Sequence, residues 1–419
     1  MKEEMPLLWD HLQELSRIGR NADGSITRFP FTEEDRQAEA LLWRYMEEAG
    51  ISVSRDAAGN LIGRWEPADG PESGQEYDAR PLVAGSHYDT VLEGGAFDGC
   101  LGLLAAIESV RCLREEGFRP ARPVWVVGFK DEEGNRFGYG MIGSRSMCGK
   151  AEPEGLSSRD ESGITLGDAM RASGLDPGRL DTCRIEPAAM LELHIEQGSV
   201  LEESGCTVGA VEGIAGLERY TVRIEGCSAH AGATPMGARR DPVPAMSRWI
   251  LKVTELARQR ENCVATVGCV EVRPGACNII CQSAEFSLDI RSVRDADIRE
   301  IMEEMAHFEA ELEHTERVRI TRTLEQALPA APCDGRLREM AERICREQGL
   351  ACRRLMSGAG HDSMNFSGLC PIGMIFVPSK DGLSHRREEY TSREDCQAGA
   401  IVLREMIREC AAGAPEERE

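Results

Sequence analysis

LVAGSHYDTVLEGGAFDGCLGLLAAIESVRCLREEG, residues 82–117, reads as a strand, a polar loop and a helix in succession. It opens as the kind of apolar run a fully buried strand carries. Leu103, Ile107, Val110 and Leu113 give the helix an inner stripe, and Gly117 stops it. PVWVVGF, 123–129, is a second buried strand. Strands alternating with helices predict an α/β fold with a mostly parallel sheet. Segments 7–18 and 33–49 add two helices, the second ended by Gly50. The polar stretch 66–80 predicts a hairpin or loop, and the tail GAPEERE, 413–419, is expected to fray.

The texture changes near residue 215. LERYTVRIE alternates, with Tyr220, Val222 and Ile224 on one face. A helix follows, with Asp241 as its N-cap and Pro242 in its first turn. Strands near 264–272 and 284–291, a helix over 295–313 and a strand over 316–323 complete the order β-α-β-β-α-β, the ferredoxin-like pattern. After about 328, DGRLREMAERICREQG returns to helix and PIGMIFVP to buried strand. The expectation is a discontinuous α/β domain, 1–214 with 328–419, carrying an inserted α+β domain, 215–327.

A chain of 419 residues is long for one core. Its net charge of −23, from 49 basic and 72 acidic residues, excludes nucleic acid and anionic membrane as partners. An acidic small substrate stays open, because one local Arg reverses the field. The sixteen cysteines form no C-x-x-C pair, and MKEEMPLLWD lacks the basic and apolar regions of a signal peptide. Reduced thiols in a cytoplasmic enzyme are the expectation. No apolar run approaches the roughly 20 residues that span a bilayer.

Five separate fragments each supply a metal-ligand side chain where a strand ends or a loop begins. They are His87 in GSHYDT, Asp98 in GGAFDGCLG, Glu132–Glu133 in FKDEEGNRFG, His194 in ELHIEQG and His385 in GLSHRREEY. Histidines with carboxylates suit Zn²⁺ or a similar borderline metal. Five ligands exceed one tetrahedral zinc and suit two metals sharing a bridging carboxylate. If the strand runs on through His87, Asp89 lies on its face and accepts the proton of the ring nitrogen turned away from metal; otherwise Asp89 only caps a turn. Asp98, among Gly94, Gly95 and Gly99, is either a carboxylate pushed between cations or a helix N-cap. Of adjacent Glu132 and Glu133, one can bind metal while the other takes a proton from water. As an isolated pair they would be solvated surface.

These fragments, with SAHAGATPMGARRD (228–241), NIICQSAEFSLDIR (278–291), SGAGHDS (357–363) and MIFVPSKDGLSH (374–385), resemble the hydantoinase/carbamoylase amidases of the di-zinc aminoacylase and carboxypeptidase-like clan. That group includes N-carbamoyl-L-amino-acid hydrolases, allantoate amidohydrolases and β-ureidopropionases. The resemblance spans about 10–405 and implies two divalent ions per subunit: Zn²⁺, or alternatively Mn²⁺, Co²⁺ or Ni²⁺. By it, His87, Asp98 and His194 hold one ion, and Asp98, Glu133 and His385 the other. Glu132 becomes the general base, with Gln197, His230, Asn278, Arg291 and Gly360 on the substrate. His230 would arrive from the partner subunit of a homodimer formed through the inserted lid domain. The chain departs at Cys281, where relatives carry Pro, and at Lys130, where they carry an acid; neither is a ligand position.

Arg291 matches a substrate carboxylate bidentately, or else forms an ion pair with Asp289. His230 donates to the carbonyl oxygen, or else is a loop histidine. SGAGHDS brings Gly360 and His361 to the site, or else is a glycine-rich turn. The implied substrate is a small ureido acid. The expected reaction takes an N-carbamoyl-L-amino acid to the L-amino acid, CO₂ and ammonia, with allantoate or a β-ureido acid as alternatives. A dipeptidase or aminoacylase is disfavoured by HIEQG and SAHAG. A metal-binding scaffold without activity is disfavoured by the retention of every ligand together with Glu132.

Overall fold

The computed structural model describes residues 5–67 and 79–412. Most of the expected loop 66–80, and all of the tail 413–419, lie outside the described residues. The chain divides into two units, Met1–Glu212 with Cys333–Glu419, and Gly213–Pro332. These junctions fall two residues before and five residues after those read from the sequence.

The first unit is built on a mixed sheet. Its centre is four parallel strands in the order Val124–Phe129, Leu82–His87, Ala189–Ile195, Ile372–Val377. Antiparallel strands flank it: Leu61–Trp65 and Ser52–Arg55 on one side, Val208–Ile214 on the other. The expected parallel sheet is thus the centre, and its edges are antiparallel. The central strands are almost wholly buried, which explains their continuous apolar runs.

The helix Cys100–Glu115 is buried on every side rather than along one stripe; even Glu108 and Ser109 are inaccessible. One side lies on the sheet, and the helices Leu8–Leu15 and Arg393–Ala411 cover the other. Each fully buried Leu or Ile here stabilises the unit by about 1.5–3 kcal/mol relative to exposure. Arg393–Ala411 escaped the sequence reading. Ser392 caps it by accepting from the Asp395 N–H, and Gly399 lets it sit close to the sheet. A Cβ at Gly399 would come within 2.5 Å of Val377 and 2.8 Å of Leu193. The expected helix 7–18 is shorter, Leu8–Leu15, whereas 33–49 forms as Glu33–Glu48 behind a Thr32 cap.

In the second unit, Gly216–Glu225 and Ser283–Ser292 pair along their whole length, and Arg319–Leu328 adds to the other side of Gly216–Glu225. The expected strand 264–272 is two short pieces, Cys263–Thr266 and Val270–Arg273, both paired with Ser283–Ser292. Helices Pro242–Arg258 and Asp295–Glu316 cover this antiparallel sheet, burying Trp249 against Phe286. Asp241 caps the first of them by accepting from the Val243 N–H. The second runs past the expected 313 to Glu316, because HTER carries no Gly or Pro; Arg317 ends it at φ +54°.

Candidate metal centre

The carboxyl ends of the four parallel strands point to one place, where ligands of open α/β sheets bind. His87 is the last residue of its strand and pairs in register with Phe129, after which come Asp131, Glu132 and Glu133. His194 pairs with Phe376 near the ends of the next two strands, and the loop after Val377 carries His385. The sheet thus gathers side chains nearly 300 positions apart.

Three sets of donor atoms lie close together: His87, Asp98 and His194; His87, Glu132 and Glu133; Asp98, Glu133 and His385. Asp98 joins the first of these sets to the third. Its Oδ1 is 3.0 Å from His194 Nε2 and 3.4 Å from His87 Nε2, and its Oδ2 is 3.2 Å from His385 Nε2. His385 Nε2 is also 3.5 Å from Glu133 Oε1, and His87 Nε2 is 3.9 Å from Glu132 Oε2. Ligands about 2.0–2.1 Å from one tetrahedral ion stand about 3.3 Å apart, so these spacings fit metal.

The tautomers fit as well. His194 Nδ1 bonds the Ile195 carbonyl at 2.9 Å and His87 Nδ1 the Asp89 carbonyl at 3.1 Å. Both Nδ1 atoms donate, which leaves both Nε2 atoms turned toward Asp98, where the Gly99 N–H also reaches His194 Nε2 at 3.2 Å. A cation shared between these nitrogens and the carboxylate would satisfy both. The Asp89 carboxylate does not play its expected part, because the strand ends at His87 and the alternation with it. Asp89 Oδ1 is 3.6 Å from His87 Nδ1, while its two oxygens accept the backbone N–H groups of Glu132 and Glu133, each at 3.2 Å. Asp89 braces the neighbouring ligand loop.

Asp98 is not an N-cap; Gly99 occupies that place at φ +62°. A Cβ on Gly99 would lie 2.4–2.5 Å from the His87 ring, so only glycine fits.

The electrostatics follow the geometry. Burial pushes the Asp98 carboxyl up, but His194, with His385 and His87, holds it well below the usual range. Burial opposes charge on His87, yet Asp89 and Asp98 hold it well above its ordinary value. Asp98 lifts His385 to about 9. Burial, opposed by His87 and reinforced by Glu133 and Asp362, pushes Glu132 far up; burial and Asp98 push Glu133 up to about 7. These carboxylates are crowded beyond what they can ionise without added positive charge.

A cavity of about 190 Å³ is lined by these ligands with Met141, Gln197, Ala359 and Gly360. A larger one, about 420 Å³, lies against Leu201, Lys380, Tyr390 and Asp395, but no cluster of donors among the described residues converges there. Gln197, at φ +59°, gives its amide N–H to Asp98 Oδ2 at 2.7 Å. Its Oε1 is buried with no partner among the described residues, an acceptor ready for a ligand. His361 is buried, 2.7 Å from the Ser357 hydroxyl, and stacks edge-on against His194 at 4.5 Å. Burial, then His194, keeps it well below its ordinary pKa, hence neutral.

His230, Asn278 and Arg291 belong to the second unit. His230 pairs with Ile279 in a two-stranded ribbon, and the Asn278 carbonyl accepts the Ala231 N–H. His230 Nδ1 accepts the N–H groups of Gly232 and Ala233, each at 3.1 Å, so Nε2 carries the proton. The side chain is exposed and presents an N–H donor. Arg291 is bonded to Asp289, the alternative the sequence left open, with Nε to Oδ1 at 2.8 Å and Nη2 to Oδ2 at 3.2 Å.

Sequence reading missed Met141, which lines the cavity in a left-handed conformation, and Glu389, which bonds the backbone of Asp98. A second acidic pair, Glu388–Glu389, three and four residues beyond His385, was the available signal.

The profile of Peptidase family M20/M25/M40 matches residues 83–409. The N-carbamoyl-L-amino acid amidohydrolase of Geobacillus stearothermophilus is 45% identical over 410 residues, 97% of this chain and 98% of that protein. The allantoate amidohydrolase of Bacillus subtilis (strain 168) is 34% identical over 96% of this chain and 97% of its own. A solved amidase of the hydantoinase/carbamoylase family from Burkholderia multivorans superposes with a TM-score of 0.88, at 31% identity and 98% coverage of both chains.

Proposed function

The chain belongs to Peptidase family M20/M25/M40, among its hydantoinase/carbamoylase amidases, and on that premise we propose that it hydrolyses N-carbamoyl-L-amino acids to L-amino acid, CO₂ and ammonia. The family is metal-dependent. The reading here is two divalent ions, Zn²⁺ first, with His87, Asp98 and His194 holding one and Asp98, Glu133 and His385 the other. The observation that carries it is Asp98, whose two oxygens face imidazoles on opposite sides.

When bound, the ions lower the pKa of water toward neutrality and polarise the ureido carbonyl. Glu132 takes the proton of the attacking water and returns it to the leaving nitrogen. Its burial keeps the proton-bearing form accessible, which suits that second transfer. The Gln197 carbonyl and Asn278 hold the ureido N–H groups, beside the Gly360 backbone. The His230 Nε2–H donates to the carbonyl oxygen as negative charge develops there. Arg291 anchors the α-carboxylate. The second unit serves as lid and homodimer interface, bringing His230 to the partner's site.

The relatives that act on allantoate support a second reading, in which the substrate is allantoate; both are ureido acids. The sixteen free cysteines support a reducing compartment, the cytoplasm. No helix among the described residues is long and apolar enough to cross a membrane.

The test is ammonia release from N-carbamoyl-L-amino acids, N-carbamoyl-β-alanine, allantoate and dipeptides, after chelation and with each divalent metal returned. Fastest turnover of carbamoyl amino acids is expected. Preference for allantoate selects the second reading, and full activity of a chain shown by elemental analysis to be metal-free rules out both.

A further inference from the structure

We propose that Glu389 is a positioning residue of the metal centre, tying the loop that carries Asp98 to the loop that carries His385. The inference rests on the two-metal reading. Glu389 is 5% exposed, and a carboxylate so far from water must be hydrogen-bonded to be tolerated. Its bonds run to both ligand loops. Oε1 accepts the backbone N–H groups of Phe97 at 2.8 Å and of Asp98 at 3.1 Å. Oε2 is 2.8 Å from the hydroxyl of Ser384, the neighbour of His385, and that hydroxyl is equally 2.8 Å from Asp98 Oδ2. One side chain thus grips the main chain of the shared ligand and shares the single Ser384 hydroxyl proton with its carboxylate.

Two further features belong to this arrangement. Gly95 stands outside the positive-φ glycines, so backbone freedom is not why it is there. A Cβ at Gly95 would lie 2.3–2.4 Å from Glu389 Oε1, Cβ and Cδ, so Gly95 makes the slot that Glu389 fills. His385 is held at φ +57°, a conformation a non-glycine residue keeps only when its surroundings impose it. The next residue after Glu389 adds to the clamp, since Tyr390 meets the Phe97 ring edge-on at 5.8 Å. Groups that orient metal ligands in this way tune affinity without touching the ion.

The experiment strips the full chain of metal and titrates it with Zn²⁺ against a chromophoric chelator, beside Glu389→Ala, Glu389→Gln and Gly95→Ala. Melting curves of the stripped proteins run in parallel. Two Zn²⁺ are expected on the unaltered chain. Glu389→Ala should weaken the looser one by about 10–100-fold, the range typical for losing a group that orients a ligand. Gly95→Ala, which expels the carboxylate from its slot, should do the same, and it carries the test if Glu389→Ala fails to fold. Glu389→Gln should stay within about tenfold, since its carbonyl still accepts both N–H groups and its amide donates to Ser384. If the unaltered chain binds two Zn²⁺ and all variants bind them equally while melting lower, Glu389 is structural only and the proposal is overturned, the two-metal reading surviving. If the unaltered chain binds fewer than two, both fall.

Discussion

Asp289 holds Arg291 by two bonds, Nε to Oδ1 and Nη2 to Oδ2, and also receives Arg219 Nη2 at 3.0 Å. The guanidinium that the proposed function sets on the substrate carboxylate is therefore oriented in advance by a neighbour two residues away on the same strand face. Preorganisation of this kind lowers the entropy lost on binding.

Arg291→Ala should therefore raise KM steeply for N-carbamoyl amino acids, by about 2–5 kcal/mol in kcat/KM, with metal content unchanged. Arg291→Lys should recover little, because an ammonium lacks the planar fork. Steady-state kinetics with free acids and their neutral carboxamides decide it. Equal turnover of both by the unaltered enzyme would remove the anchoring role.

Glu132 and Glu133 are adjacent yet separable. Glu132→Gln should keep its metal and lose about 10²-fold or more in kcat, the usual contribution of general base catalysis. Glu133→Gln should lose metal instead, since Glu133 Oε1 faces His385. Elemental analysis beside kcat distinguishes them, and equal metal loss in both would mean the roles are misassigned.

His230 offers a test across subunits. Each of His230→Ala and Glu132→Gln should be nearly inactive alone. Mixed and allowed to exchange, they should recover about a quarter of the unaltered activity, because half the dimers are mixed and each has one intact site. No recovery, with exchange shown by mass spectrometry, would place His230 in its own subunit's site.

Lys130 tests stability rather than chemistry. Its ammonium is 2.9 Å from both Asp35 oxygens and 3.5 Å from Glu39, and both Lys130 and Asp35 are buried. Lys130→Ala leaves Asp35 uncompensated and should cost about 3–5 kcal/mol in urea unfolding. Burial works against the charge, but Asp35, Tyr88 and Glu39 together outweigh it, so the lysine pKa is raised. A raised pKa gives stability that is whole below the ordinary lysine value of 10.5 and is lost as pH climbs through the raised one. The gap between the unaltered chain and Lys130→Ala should therefore stay constant through neutral pH and narrow only in strong alkali.

Much of the site was legible because its chemistry is written in residue type. Two carboxylates side by side after a buried strand say little alone, but beside histidines in short glycine-containing loops they mark candidate donors before any fold is known. The central strands were legible because a strand buried on both faces must be apolar throughout, as Val124–Phe129 and Ile372–Val377 are. The helix Arg393–Ala411 went unread, although its Ser392 cap and apolar face lie in the sequence.

By itself, the sequence determined the candidate donors, the buried strands and the insertion of one α+β unit into an α/β chain, because burial and metal chemistry each demand particular residue types locally. Only the tertiary structure decided which partner each side chain takes. Asp89 braces the Glu132–Glu133 backbone because the strand stops at His87. Gly95 leaves room for Glu389, a residue from the far end of the chain. Arg291 meets Asp289 rather than standing alone. Such pairings depend on distances across the fold, and residue spacing along the chain carries no record of them.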